Sequence, residues 1–309
     1  MRKAGVLFLC GLLWVGAAVS PALPQPRPAT ETVTVTGQKI APVPRAVIDK
    51  MITTRIAPTR LAGKIARWKD PICPETFGVK PEWAAAVTQR IRDVAVTAGA
   101  RVETKSPCTA NVTIVFTTTP QALLDDIAAH RPGLLGYHES VTEIKAQAMM
   151  RHPIQAWYAT ETRDFMGQTH PDNKDYCDRQ HPKYAPDPDM TACTYITSGM
   201  TLDDGISSDF STVLVVADWN TLGSHPFSAI ADYIAMFVLS QTKSFDSCDA
   251  LPTIANLMSQ SCDAQWKTDA LTEGDIAYLH ALYKMQPGGN LHSQQNDIAR
   301  GMARDLEGR

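Results

Sequence analysis

The stretch SAIADYIAMFVLSQ, Ser228 to Gln241, is apolar on nearly every face and carries a single acid, Asp232. A helix of that composition is buried all round, so its neighbours decide the fold. Before it, STVLVVADW runs from Val213 to Ala217 without a polar break, as a strand covered on both faces does. After it the chain reads only as helix: 228–241, about 251–259, 272–285, and an amphipathic tail with Leu291, Ile298, Met302 and Leu306.

Further upstream, strand and helix signals alternate. GKIARWKDPIC alternates weakly and suits a first strand that ends at Pro71. PEWAAAVTQRIRDVAVTAG places Val87, Ile91, Val94 and Ala98 on one helical stripe, begins with Pro81 and stops at Gly99. NVTIVFTT is a β-branched strand, PQALLDDIAAH and HESVTEIKAQAMM are helical, and IQAWYATET is a third strand. Residues 161–190 are polar and rich in Asp, His and Pro, which predicts a long surface loop, and TACTYITSG follows as a strand. Alternation that gives way to helix argues for an α/β (α+β) layer with a helical C-terminal part.

The ends bound the compartment. Arg2 and Lys3 precede an apolar run from Ala4 to Val19, and small residues follow, which is the layout of a secretory signal peptide over 1–22. The run is shorter than the roughly 20 residues that a bilayer needs. Residues 23–60 read as a proline-rich linker around one extended segment, 61–285 as the globular domain, and 286–309 as the tail. Removing the first 22 residues takes Arg2 and Lys3 from the 29 basic residues, leaves the 32 acidic ones untouched, and moves the net charge from −3 to −5. Such mild acidity gives no electrostatic footprint for nucleic acid. Cys10 leaves with the signal, so six cysteines remain: Cys73, Cys108, Cys177, Cys193, Cys248 and Cys262. An even count in an exported chain reads as three disulfides, with fifteen pairings open. Sequence proximity favours Cys177–Cys193 and Cys248–Cys262, with Cys73–Cys108 left over. The expected location is the periplasm or the medium, with no transmembrane helix after signal cleavage.

LTEGDIAYLHALYK, Leu271 to Lys284, resembles the closing helix of metzincin-type metallopeptidases, the matrixins above all. Ahead of it, IANLMSQ puts Met258 where that family keeps its Met-turn. The chain is also similar to uncharacterised exported bacterial proteins of zincin-like architecture. The resemblance implies a zincin-like mixed sheet with helices, with 228–241 in the slot of the active-site helix. A working metzincin needs H-E-x-x-H-x-x-G-x-x-H, with histidines on zinc and a Glu that activates water. Aligned on its acid, this chain reads Ala231-Asp232-x-x-Ala235-x-x-Val238-x-x-Gln241. Alanine has no lone pair for Zn²⁺. Asp232, the one weak catalytic candidate, therefore has no metal-bound water to activate. Its structural reading is a first-turn acid capped by Ser228.

Other chemistry is thinner. His170, Asp172, Asp175 and His181 are weak candidates for a metal, alongside Asp178, Asp187 and Asp189, but they lack calcium-loop and zinc-helix spacing. His225 and His280 could reach a cleft beside the central helix. No G-x-S-x-G and no phosphate-cradling glycine run is present, and no cofactor is implied. ETVTVTGQ, Glu31 to Gln38, looks like the TonB box of outer-membrane receptors, which pairs by strand addition. The leading expectation is a degenerate metallopeptidase that binds a peptide or envelope protein without catalysis. The rivals are a hydrolase with an atypical site and an envelope component that uses its TonB-box-like arm to recruit a partner.

Overall fold

The computed structural model describes residues 43–174, 197–198 and 203–308. Its organising element is β6, Ser207–Asp218, the longest strand. On one side β6 pairs in parallel with β3, Val112–Thr117, in the register Val112↔Val213 to Thr117↔Asp218. The two-residue β1, Ala66–Arg67, continues that side against Ser208 and Asp209. On the other side β4, Ile154–Arg163, runs antiparallel from Ile154↔Ala217 to Arg163↔Ser207. β2, Pro74–Phe77, lies parallel to β3, and β5, Thr169–Pro171, antiparallel to β4, which gives the order β2-β3-β6-β4-β5. The class is α+β: one mixed sheet with seven helices among the described residues.

The unbroken apolar run in β6 serves two cores, as a doubly covered strand must. Val213, Val215 and Ala217 face the main core, while Leu214 and Val216 face a smaller one with Trp157, Leu124 and Ile127. The smaller core is closed by α3, Pro120–His130, and by the single-turn segment Pro132–Leu135. A short helix, α4, Val141–Gln147, follows, with Ser140 accepting the Glu143 N–H at its start. On the main face, α2, Pro81–Ala98, buries Val87, Ile91, Val94 and Ala98, the stripe read from the sequence, and ends at Gly99 in the left-handed conformation. α5, Phe227–Leu239, lies within this core, buried from Ala229 to Leu239. α6, Glu273–Lys284, opens with a capping box between Thr272 and Asp275. It packs on α7, Leu291–Leu306, where a Cβ on Gly301 would come within 2.8 Å of Ala281 Cβ.

Several expectations change. The linker read over 23–60 contains α1, Arg45–Arg55, which buries Ile48, Met51, Ile52 and Arg55 and packs on α7. Buried Arg55 donates to Asp249 Oδ2 at 2.5 Å and to Asn256 Oδ1 at 3.4 Å, so the segment is held by a buried ion pair as well as by apolar contacts. The tail read over 286–309 is likewise core-forming, through Ile298, Ala299 and Met302. GKIARWKDPIC breaks after Arg67, makes one isolated bridge at Ile72 to Val102, and becomes a strand again only at Pro74, in the edge position that tolerates proline. The helix expected over 251–259 is one short turn, Ile254–Asn256, because Asn256 ties the backbone of Asp249 and Trp266 into a loop. The surface loop expected from 161 carries the end of β4 and all of β5, folded back through Gly167 at φ +81°. Most of TACTYITSG lies outside the described residues.

Candidate functional site

α5 is the segment whose sequence aligns with a metal-binding helix, and it is sealed. Ala231 and Ala235 are buried, as are all their neighbours to Leu239. The helix begins at Pro226, which makes no side-chain cap, so Ser228 is inside the helix and Asp232 lies beyond the first turn. The first-turn reading of Asp232 is therefore replaced by a longer-range one. Its Oδ1 pairs with Arg90 on α2, and its Oδ2 accepts the Leu271 N–H at 3.0 Å, just before α6. Both carboxylate oxygens are thus engaged, and the acid joins three elements.

Asp275 does similar work nearby. It accepts from Thr253 Oγ1, from the Ile254 N–H at 3.0 Å and from the Thr272 N–H at 2.9 Å. Burial pushes its carboxyl above the usual range, and these donors offset part of that shift. Met258 packs against the main core.

Among the described residues the other sequence candidates form no metal cluster. His170 Nε2 meets Asp164 Oδ2 at 3.0 Å, and Asp172 accepts from Thr160 and Thr162 at 2.6 and 2.8 Å. Asp175, Asp178, His181, Asp187 and Asp189 lie outside the described residues, so that metal set is only partly placed. His280 faces Asp305 of α7 at 2.6 Å, and His225 lies half-buried ahead of α5. Among the described residues no three His, Cys, Asp or Glu side chains are grouped to hold a metal ion. Two disulfides, Cys73–Cys108 and Cys248–Cys262, are formed; Cys177 and Cys193 are outside the described residues. No helix of the described residues is long and apolar enough to cross a membrane.

Open space lies at the C-terminal end of α5. Ser240 turns extended, its Oγ bonded to the Met236 carbonyl at 2.9 Å, and Gln241 leaves the helix. Gln241 then faces a cavity of about 270 Å³ between β4 and residues 135–147, lined also by Arg60, Tyr137, Gln147, Tyr158 and Phe245. A second cavity of about 420 Å³ shares Arg60, Gln147, Ala156 and Trp157 with it. The Gln147 and Gln241 side-chain oxygens are buried with no hydrogen-bond partner among the described residues. Leaving such an acceptor unpaired costs about 1–3 kcal/mol, and Arg55 Nη1 and the Tyr233 hydroxyl, elsewhere in the core, are likewise buried with no hydrogen-bond partner among the described residues. The Gln147 amide is oriented: Nε2 donates to the Tyr137 carbonyl at 2.8 Å, so Oε1 is left as an acceptor. Burial keeps the Tyr158 phenol well above its ordinary pKa, and its hydroxyl donates to the Phe237 carbonyl at 2.9 Å. Arg60 pairs with Glu139 and Glu143, each at 3.1 Å, and lies 5.2 Å from the centre of the Tyr137 ring. Sequence reasoning singled out Gln241 as a lost ligand and missed Arg60, Tyr137 and Gln147, which no spacing connects.

At the other end of α5, two exposed rings, Trp83 and Trp219, gather with half-buried Phe227 and buried Phe116 at the carboxyl ends of β2, β3 and β6. Trp83 lies 4.4 Å from Phe227 and 6.5 Å from Trp219, and Phe116 lies 5.4 Å from Trp219. Open α/β sheets present their ligand crevices at this end, but here the rings pack on one another.

The fold and site together define a disulfide-bonded α+β protein built on a mixed sheet, with a sealed central helix and a polar-lined cavity at its end. Compared with family models, with curated proteins and with solved structures, the chain finds no match.

Proposed function

We propose that this chain is an exported protein of zincin-like fold that acts in the cell envelope by binding a peptide or protein partner, without zinc chemistry. The observation that carries this reading is the state of Asp232. Its two oxygens are taken by Arg90 and the Leu271 N–H, and the flanking ligand positions are buried alanines. A carboxylate that is buried and bonded at both oxygens is held as a structural group and is poorly placed to activate a water. The cavity beside Gln241 is the seat for the partner, because it is a concave site where polar side chains converge beside aromatic ones. The two disulfides suit an oxidising compartment. Metal analysis of the purified full chain after dialysis tests the reading. Substoichiometric metal is the expected outcome, and one transition-metal ion retained per chain would overturn it.

A further inference from the structure

The bridge Cys73–Cys108 joins the residue that precedes β2 to the loop between α2 and β3. Arg92, half-buried on α2, reaches onto that loop. Its Nη1 donates to the Glu103 carbonyl at 2.7 Å and its Nη2 to Cys108 Sγ at 3.7 Å. A guanidinium beside a cysteine sulfur favours the thiolate over the thiol. The other charged side chains close to the bridge in sequence are Glu75 on β2, then Arg101, Glu103 and Lys105 ahead of Cys108. Two are acidic and two basic, so Arg92 sets the local balance. Access differs between the two sulfurs. Cys73 is only 5% exposed, whereas Cys108 is half-buried in a stretch, Thr104 to Thr109, that is otherwise exposed. A thiol arriving from solvent meets Cys108 first. In the other bridge Cys262 is buried, and among the described residues no cationic side chain donates to either of its sulfurs.

We propose that Cys108 is a thiol-exchange site, attacked by a dithiol and held as a thiolate by Arg92 once it is released. In the first step a thiolate of the dithiol attacks Cys108 Sγ. The bond between the two sulfurs breaks, and its electron pair goes to Cys73 Sγ, which takes a proton from solvent. In the second step the reagent's other thiolate attacks the reagent sulfur of the mixed disulfide. Cys108 then leaves with the electron pair, as a thiolate beside Arg92. The dithiol is oxidised to its disulfide, its protons pass to solvent, and the bridge is reduced. The sheet edge has other ties. The Cys73 N–H donates to Asn111 Oδ1 at 2.7 Å, the Asn111 and Val112 N–H groups donate to the Cys73 carbonyl at 3.2 and 3.3 Å, and the Glu103 N–H donates to the Ile72 carbonyl at 3.0 Å. Exchange therefore loosens Thr104 to Thr109 and leaves β2 and β3 paired. This site is independent of the binding reading above and goes beyond it.

Titration of the oxidised full chain with mixtures of reduced and oxidised dithiothreitol tests it, each bridge being followed by acid quench, alkylation and peptide mass spectrometry. Cys73–Cys108 is expected to open at a ratio about tenfold less reducing than Cys248–Cys262 requires. A brief pulse of 2-mercaptoethanol should leave its adduct on Cys108 and a free thiol at Cys73. In the chain reduced at this bridge alone, Cys108 should reach half its maximal rate with iodoacetamide below about pH 8.5, the ordinary thiol value. Arg92→Gln should raise that midpoint by about one unit and make the bridge about tenfold harder to reduce. Thermal melting reports whether the variant is folded, and the wild-type measurements decide the matter without it. Hydrogen exchange should rise over residues 104–109 on reduction and stay unchanged in β2 and β3. An adduct on Cys73, opening no earlier than that of Cys248–Cys262, or a Cys108 midpoint at or above the ordinary value would overturn the proposal. So would a midpoint that a folded Arg92→Gln variant leaves in place.

Discussion

Asp232 is the residue on which the sequence and the structure both turn. In the sequence it is the single charge in an apolar helix; in the structure it is a buried tie between α2, α5 and the entry to α6. Neither partner was legible, because Arg90 lies 142 residues away and Leu271 contributes only its backbone. Asp275 was half legible: Thr272-x-x-Asp275 is a readable capping box, but its bonds to Thr253 and Ile254 leave no local signal. Its carboxyl, raised by burial, makes a directional prediction. In the fold it holds its proton to higher pH than in the unfolded chain. Native protein therefore binds more protons across that window, and this group's contribution falls as pH rises through it. Denaturant unfolding of wild type and Asp275→Asn at several pH values should show the difference moving in favour of wild type as pH drops from neutral into the carboxylate range. A difference independent of pH would count against a raised carboxyl.

At the scale of elements, most strands and helices could be read from periodicity. α2 has its stripe, its Pro81 start and its Gly99 stop where the pattern puts them. The two-sided burial of β6 follows from an apolar run with no polar break. α1 was passed over because prolines at 42 and 44 and a polar average made the region look like linker. Yet Ile48, Met51, Ile52 and Arg55 recur at helical spacing, and it is these that are buried. Arg55 hid the stripe, since a charge on the buried side needs Asp249 to make sense. Ile52→Ala should therefore lower unfolding free energy by about 2–5 kcal/mol, as a core truncation does. A linker side chain would change it by no more than about 0.5 kcal/mol. Chemical denaturation of the full chain separates the two.

For the whole molecule, composition and alternation were enough to reach a mixed α+β layer, but not the site. The cavity draws on residues 58–60, 135–147, 156–160 and 241–245, which no short motif spans. Only topology brings them together: the antiparallel β4 runs beside β6, and the chain ahead of β4 folds back so that Gly136 meets the Tyr158 carbonyl. Gly136 has φ +90°, and a Cβ there would stand 2.6 Å from that oxygen, so the close approach that walls the cavity needs glycine. The same topology sets α2, α5 and α6 around one core, with Asp232 at their junction. A double-mutant cycle of Asp232→Asn and Arg90→Met, read by equilibrium unfolding, asks whether the acid of the central helix holds the molecule together. Each single change should destabilise the protein, with a coupling of about 1–3 kcal/mol between them. Effects that add to within about 0.5 kcal/mol would contradict the reading of Asp232 as a structural tie.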